Sequence, residues 1–389
     1  MSWSLVKLGE LVTIKGGGTP SKKVKEYWNG NIPWASVKDL KSNEISKTVD
    51  AITELGVNNS ATNIIPAGTI LTATRMALGK FAINTIDMAI NQDLKALFVN
   101  DETKVDRDFL IRFLESKAQF IDSEGKGATV KGITLDFLKN LEIPLPPLDE
   151  QKRIAAILDK ADAIRRKRKN AINLADDFLR SVFLDMFGDP VSNSKNLELQ
   201  DFGTIADFIN GDRSSNYPSG DDIIDNGILF LNTKNIVKNK LVFKEKAFIS
   251  QQKFDSLSRG KLQKRDLVIT LRGTLGSCAI FDNKFDTGFI NAQIMILRCK
   301  KDIYPEYLHA LLTSKSFHSM LQKIGNGAAV PQLTATQLKV LKIPVPPVAL
   351  QEKFIELLNL FRNMTMKLDV NQTPLLFDSL SQKAFAGQL

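Results

Sequence analysis

The stretch Ile143-Pro144-Leu145-Pro146-Pro147-Leu148-Asp149-Glu150-Gln151 decides the fold, because it returns 200 positions later as Ile343-Pro344-Val345-Pro346-Pro347-Val348-Ala349-Leu350-Gln351. Three prolines and a glutamine in one register mark a duplication, so the chain reads as two copies of a unit of roughly 200 residues. Each proline fixes φ and removes an amide donor, so the run is expected to be extended and to end a domain directly before a helix. Asp149-Glu150 resembles a helicase-type acidic box, but at a helix start negative charge is favoured by the dipole, and the capping reading is preferred.

Working outward, Gly127-Ala128, Val130 and Thr134 match Gly327-Ala328, Val330 and Thr334, and Asn91 matches Asn291. Arg75, Gly79, Ala82 and Ile83 align with Arg272, Gly276, Ala279 and Ile280 at an offset of 197, the drift being absorbed by loops. Upstream in each copy, alternating apolar segments between turn formers, such as IPWASVKDL and GILFLNTKNI, predict strands. A short helix is expected at 106–120 and at 304–321, with Phe109, Leu110, Phe113 and Leu114 burying one face. The fold class is therefore α/β (α+β), with two similar mixed domains.

Downstream of each proline run the apolar spacing changes to alternating threes and fours. Ile154, Ile157, Ala161, Ile164, Arg168, Ala171, Ala175, Phe178 and Val182 form one seam, and Leu350, Phe354, Leu357, Phe361, Met364 and Leu368 form the other. Two long helices are predicted to pair as an antiparallel coiled coil, since the first must carry the chain away before the second domain begins. At 1.5 Å per residue, some 35 to 40 residues would span roughly 50 to 60 Å. Expected boundaries are 1–146 and 189–346 for the domains, 147–188 for the central helix and 347–389 for the C-terminal helix, with a break at Pro374 where the first copy has Asp176.

Composition narrows the function classes. With 389 residues, 43% hydrophobic and 24% charged, the chain suits a multidomain globular protein, and no apolar run approaches the roughly 18 to 20 residues of a membrane span. Met1-Ser2-Trp3-Ser4-Leu5 carries no secretory pattern, so a cytoplasmic location is expected. Fifty-two Lys and Arg against 43 Asp and Glu give a net charge of +9, which favours a polyanionic partner. Cys278 and Cys299 sit in strand-like runs and are expected to be buried and reduced. His309 and His318 are the chain's two histidines and read as structural, leaving almost no material for histidine-based catalysis or a metal centre. There is no GxxxxGK[ST] phosphate loop, and Gly16-Gly17-Gly18 is followed by Thr19-Pro20 instead of a helix start, which favours a closely approaching loop over a cofactor site. The [NDS]PP[YFW] string familiar from amino-methylating DNA methyltransferases is missing.

These residues together resemble the specificity subunit of type I restriction-modification systems. The resemblance runs through Leu8-Gly9-Glu10-Leu11, KGGGTPS from Lys15, YWNGNIPWASVKDL from Tyr27, the turn at Arg75, IPLPPLDEQKRIAAIL, and IPVPPVALQ to Ala384-Phe385-Ala386-Gly387. It implies a non-catalytic subunit in which each domain is a target-recognition domain for half of a bipartite double-stranded DNA sequence. The helices would recruit two modification (methyltransferase) subunits, and restriction subunits would join the full complex. This chain would bind no cofactor itself; S-adenosylmethionine, and ATP and magnesium for restriction, would serve the partners. An enzyme with an unrecognised nuclease or methyltransferase site, and a protein-binding scaffold, stand as alternatives.

Candidate DNA-facing residues are Lys22, Lys23, Lys25, Lys38, Arg75, Lys126 and Lys131 in the first domain, which lie in turns or at strand ends, and their counterparts Arg213, Lys234, Lys238, Arg272 and Lys323 in the second. Arg75 and Arg272 lead, because they recur at one turn beside glycine and arginine suits bidentate contact; a structural bridge inside the turn is the rival reading. Trp28 and Trp34 would allow stacking, but strand-core packing fits them at least as well and they are not counted. Arg165-Arg166-Lys167-Arg168-Lys169 reads first as a solvated helix face and second as a DNA contact over the spacer. Leu158, Leu179 and Phe183 lie off the seam and are assigned to a partner subunit, with a wider intramolecular interface as the alternative. KGGGTP has no equivalent in INGDRSSNYPSG, so unlike half-sites and an asymmetric target are expected.

Overall fold

The computed structural model describes residues 3–127, 129–325, 331–366 and 372–389, with the backbone alone described at 366 and 372–375. Two compact units emerge, Met1–Lys169 with Asp369–Leu389 and Asn170–Leu368.

In the first unit a five-stranded sheet has the order Val12–Gly16, Leu94–Val99, Ile70–Ala73, Phe81–Asn84, Glu44–Ile45. A four-stranded sheet has the order Asp50–Ile52, Trp28–Ala35, Met88–Ile90, Ile64–Ile65. The second unit repeats the first sheet without its last edge strand, in the order Ala206–Asn210, Ile294–Cys299, Leu267–Thr270, Cys278–Ile280, and repeats the second sheet in full as Phe248–Ile249, Ile228–Leu231, Gly288–Ile290, Lys261–Leu262. A parallel pair recurs inside the second sheet of each, Trp34 opposite Ala89 and Leu229 opposite Gly288. The duplication read from the prolines is thus a duplication of sheet order.

The proline runs lie in short antiparallel ribbons. Leu5 faces Pro144 and Leu199 faces Pro344. A proline is tolerated there because a two-stranded ribbon leaves each strand one side without a ladder. Immediately afterwards the helices begin at Leu148 and Val348.

The glutamine that closes each run is fully buried. Gln151 Oε1 accepts from the Asp106 amide at 2.8 Å, and its Nε2 donates to the Lys104 and Pro146 carbonyls at 2.8 Å each. Gln351 makes the same three bonds, accepting from the Tyr304 amide at 3.0 Å and donating to Asp302 and Pro346 at 2.9 and 3.0 Å. One side chain therefore ties the extended exit, the start of the long helix and the N-terminus of the domain helix.

Those domain helices are each shorter than expected. Arg107–Ser116 is followed by Ala118–Ser123, and Pro305–Leu312 by Lys315–Gly325, so the single helices expected at 106–120 and 304–321 are both interrupted. Phe109, Leu110, Phe113 and Leu114 are buried as their spacing requires.

The long helix Leu148–Phe187 pairs antiparallel with the C-terminal helices, as seen within each unit separately. In the first, Arg153 Nη2 donates to the Leu389 carbonyl at 3.0 Å and the Arg165 guanidinium lies 4.8 Å from the Phe377 ring centre. In the second, Phe187 and Phe183 pack on Phe354 and Phe178 packs on Phe361, with ring centres 5.5, 5.7 and 4.9 Å apart. The expected seam is corrected in position: Ile164 is 46% exposed whereas Gln151, Ile154, Ala155, Leu158 and Asp162 are buried. The helix is covered by its own domain as well as by its helical partner, so the buried stripe is not the heptad stripe of a free coiled coil. The second arm is two helices, Val348–Met366 and Gln372–Phe385. Pro374 stands in the first turn of the second, where proline is compatible with a helix, and the preceding 367–371, including Leu368, lie outside the described residues.

Asp162 is the buried charge on this stripe. It accepts from Arg165 Nε at 2.9 Å and Arg166 Nε at 2.7 Å, with Arg112 Nη1 at 3.6 Å. Burial by itself raises its pKa, and the Arg166 and Arg165 bonds and charges turn the balance into a net lowering. The five-residue basic run therefore begins as the counter-charge of a buried carboxylate.

Replacing Gln151 or Gln351 by Ala leaves two buried carbonyls and an amide without partners. Each substitution should lower unfolding stability by about 2 to 4 kcal/mol in a urea titration, while Lys152→Ala on the exposed face should stay within about 0.5 kcal/mol.

Candidate nucleic-acid interface

In the first unit the strand Val12–Gly16 runs into Gly17 and Gly18. A Cβ on Gly17 would sit 2.0 Å from the Ile90 carbonyl oxygen, and the Gly18 amide donates to that same oxygen at 3.0 Å. The triplet is the close-approach loop expected, and it brings the Thr19 hydroxyl against the Gln92 amide oxygen. Gln92 belongs to a turn held by Asn91, whose Oδ1 accepts from the Asp93 and Leu94 amides at 3.2 and 3.1 Å. Arg75, 61% exposed, reaches to 4.0 Å from Asp93. Gly132 bridges the backbone of both Arg75 and Lys126, and the Met76 amide donates to the Lys131 carbonyl at 3.1 Å. Arg75, Lys126 and Lys131 thus share one surface, with Lys131 also 3.6 Å from Asp122.

The second unit builds the same corner from different side chains. A Cβ on Gly211 would be 3.0 Å from the Asn291 and Ile290 carbonyl oxygens, so this loop too is drawn onto the strand end. Asn291 Oδ1 accepts from the Gln293 amide at 3.1 Å, repeating the turn. Arg213 Nη2 donates to the Ala292 carbonyl at 3.1 Å, and the Ala292 amide to the Tyr217 hydroxyl at 3.4 Å. Arg272 donates from Nε and Nη2 to Gln332 Oε1 at 3.2 and 2.9 Å. Arg213, Tyr217, Arg272, Asn291, Ala292 and Gln293 line an open cleft of 480 Å³. Two guanidiniums, amide edges and an aromatic ring around one cleft are groups that contact phosphates and base edges.

The remaining candidates are exposed. Lys22, Lys23 and Lys25 follow the glycine loop, and Lys38 lies in the turn Val37–Asp39. Lys234 pairs with Glu245 at 3.5 Å, Lys238 occupies a tight hairpin turn at φ +49°, and Lys323 is on the helix Lys315–Gly325. Trp34 is buried, donating from its indole to the Gly18 carbonyl at 3.1 Å and meeting Trp28 edge to face, so it braces the loop from beneath. Leu158 and Phe183 are corrected: at 1% and 3% exposed they belong to the two domain cores and present nothing to a partner. Leu179 is half-buried. Among the described residues, the apolar side chains that the long helix and the C-terminal helices leave exposed are Ile164, Leu174, Phe178, Leu184, Leu360, Met364 and Leu376.

Asn91, Gln92, Asn291, Gln293 and Tyr217 were not among the sequence candidates. Asn91 and Asn291 were visible as a repeated pair, but a match in register does not say that two loops converge on the turn it marks. Groups for covalent chemistry are poorly placed. Burial raises both thiols, Cys278 far above its ordinary range and Cys299 to about 12. His309 has Nε2 between the Asn239 and Cys278 carbonyls and a pKa lowered by desolvation. Among the described residues no His, Cys, Asp and Glu cluster could hold a metal ion.

The loop carrying Arg213 is pinned by Asp212, which accepts from the Ser214 amide at 2.8 Å and from the Ser258 amide and hydroxyl at 3.2 and 3.0 Å. The Ser214 and Ser258 bonds hold its carboxyl well below the usual carboxylate range. A depressed folded pKa stabilises the fold above the unfolded value of about 4 and loses that contribution as pH falls through the folded value. In thermal melts from about pH 5 down to pH 2, Asp212→Asn should show a shallower acid-side loss of Tm than the parent chain.

Comparison with known proteins accords with this paired geometry. The family model described as "Type I restriction modification DNA specificity domain" matches twice, over residues 1–174 and 192–373. The type I restriction enzyme MjaIX specificity subunit of Methanocaldococcus jannaschii is 26% identical over 389 aligned residues, covering 90% of this chain and 85% of the relative. The EcoR124I/EcoR124II specificity subunit of Escherichia coli is 37% identical over 164 residues, 40% of each chain. The crystal structure of the type I restriction-modification S subunit from M. genitalium has the same fold, with a TM-score of 0.62 at 17% identity over 98% of this chain and 96% of that one. With two copies of the family's domain filling most of its length, the chain belongs to the specificity subunits of type I restriction-modification systems.

Proposed function

We propose that each unit reads one half of an asymmetric, bipartite double-stranded DNA target and that the helices hold two modification subunits of the complex. The chain is a DNA sequence-specificity subunit and not an enzyme; methyl transfer and cleavage belong to partner subunits, with S-adenosylmethionine, ATP and magnesium serving them. Restriction subunits complete the assembly in this reading, which places it in the cytoplasm with the DNA. No described helix is long and apolar enough to cross a membrane.

The observation that carries the reading is the repeated corner: an asparagine-held turn, a glycine-drawn loop and an exposed arginine, built twice with different neighbours. Arginines at such positions fit base edges and phosphates, while the surrounding lysines position the duplex without reading it. Because Gly17-Gly18-Thr19 stands in one unit where Gly211-Asp212-Arg213 stands in the other, the two half-sites should differ in sequence. Leu174, Phe178, Leu360 and Met364 are among the exposed helical apolar groups available to a modification subunit.

Co-expression with its modification subunit, followed by genome-wide mapping of methylated adenine, should reveal one two-part motif with an unread gap; methylation without such a motif would overturn the proposal. Arg272→Ala should cost about 1 to 3 kcal/mol of discrimination at one position of one half-site. Binding should weaken steeply with salt through counterion release, whereas a protein-binding scaffold would show a flat salt response. Purified chain incubated with DNA, magnesium and S-adenosylmethionine should remain inert, and activity there would favour an enzyme instead.

A further inference from the structure

Arg75 and Arg272 occupy the same turn of the repeat, yet different atoms hold them back. Arg75 Nη1 is 4.0 Å from Asp93, whose other oxygen accepts from Asn91 Nδ2 at 3.3 Å. The carboxylate, 15% exposed, is thus fixed by the turn before it meets the arginine. Arg272 is held on its other edge, with Nε and Nη2 both on Gln332 Oε1. Gln332 is tied to its neighbours through its backbone: its amide donates to Gly325 at 3.1 Å, and the next amide, Leu333, donates to Leu271 at 2.9 Å, directly before Arg272. At the place of Asp93 the second unit carries Gln293, which accepts from the Thr233 hydroxyl at 3.5 Å instead of engaging the arginine.

We propose that Asp93 and Gln332 are positioning residues that aim Arg75 and Arg272, so that each arginine offers a different edge of its guanidinium to the DNA. Arg75, drawn toward Asp93 at Nη1 by charge alone across 4.0 Å, leaves its Nε and Nη2 edge for the DNA. Arg272, restrained at Nε and Nη2, presents the outer Nη1 and Nη2 hydrogens. A long exposed arginine otherwise loses its rotamer freedom on contact, and a fixed anchor removes part of that loss before the DNA arrives. The anchors also differ in charge: a carboxylate offsets Arg75, whereas an amide leaves the charge of Arg272 uncompensated. This inference rests on the DNA-reading function proposed above.

The test is the adenine methylation map of the assembled complex carrying the parent chain, Asp93→Gln, Gln332→Leu or Gln332→Glu. Glutamine at position 93 is compatible with the turn, because the second copy builds the same turn with Gln293. Asp93→Gln should relax base choice roughly tenfold at one position of one half-site and leave the other half-site unchanged. Gln332→Leu should do the same in the opposite half-site, and Gln332→Glu, which keeps an acceptor oxygen, should restore discrimination. An unchanged motif in both Asp93→Gln and Gln332→Leu overturns the inference. So does a uniform fall in methylation at all sites with a lowered melting temperature, the result of a merely structural role. A parent complex that yields no two-part motif would instead overturn the DNA-reading function itself.

Discussion

The hydrogen bonds of Gln151 and Gln351 are the constraint on which the rest of the molecule depends. The proline run gives up amide donors and leaves the strand with unmet carbonyls, while the domain helix behind it begins with an unmet amide. One carboxamide has two donor hydrogens and an acceptor oxygen, which matches two carbonyls and one amide without remainder. Because the glutamine is itself on the first turn of the long helix, satisfying those groups fixes the direction in which that helix leaves the domain. The second copy repeats the bonds to within 0.2 Å, although Asp106 has become Tyr304 and the helix cap has changed with it.

Around this common joint the two units use different chemistry. The first fastens its domain helix to the long helix through Arg112, which bonds Glu115 at 2.8 Å and Asp159 at 2.7 Å and lies near the buried Asp162. The second uses rings, with Phe183 and Phe187 each packed against both Tyr307 and Phe354. An ionic cluster around a buried carboxylate such as Asp162 is unforgiving, since removing its arginines strands the charge, whereas an aromatic cluster tolerates repacking. The departure from symmetry that is plain in the candidate interface loops therefore extends into the cores.

Much of the organisation was legible from short-range patterns. Proline, asparagine, glycine and arginine in register announced the repeat, the proline exits and the turns at Arg75 and Arg272, because these residue types restrict the backbone locally. The errors arose where burial depends on more than one neighbour. A heptad count assumes a single facing helix, so it misplaced Ile164 and released Leu158 and Phe183, which a second surface covers. The helix breaks at Lys117 and Thr313 were missed because the apolar face continues through them.

The sequence alone determined that there are two copies, that each ends in an extended run leading to a helix, and that no familiar cofactor loop is present, since all three follow from residue identity and spacing. Only the tertiary structure decided which polar residues form the candidate interface. Thr19, Arg75 and Gln92, like Arg213, Tyr217, Arg272 and Gln293, come from segments far apart in the chain, and glycines that admit backbone to backbone contact bring them together. Convergence of that kind is a property of packed strands and loops, which spacing along a single segment does not encode.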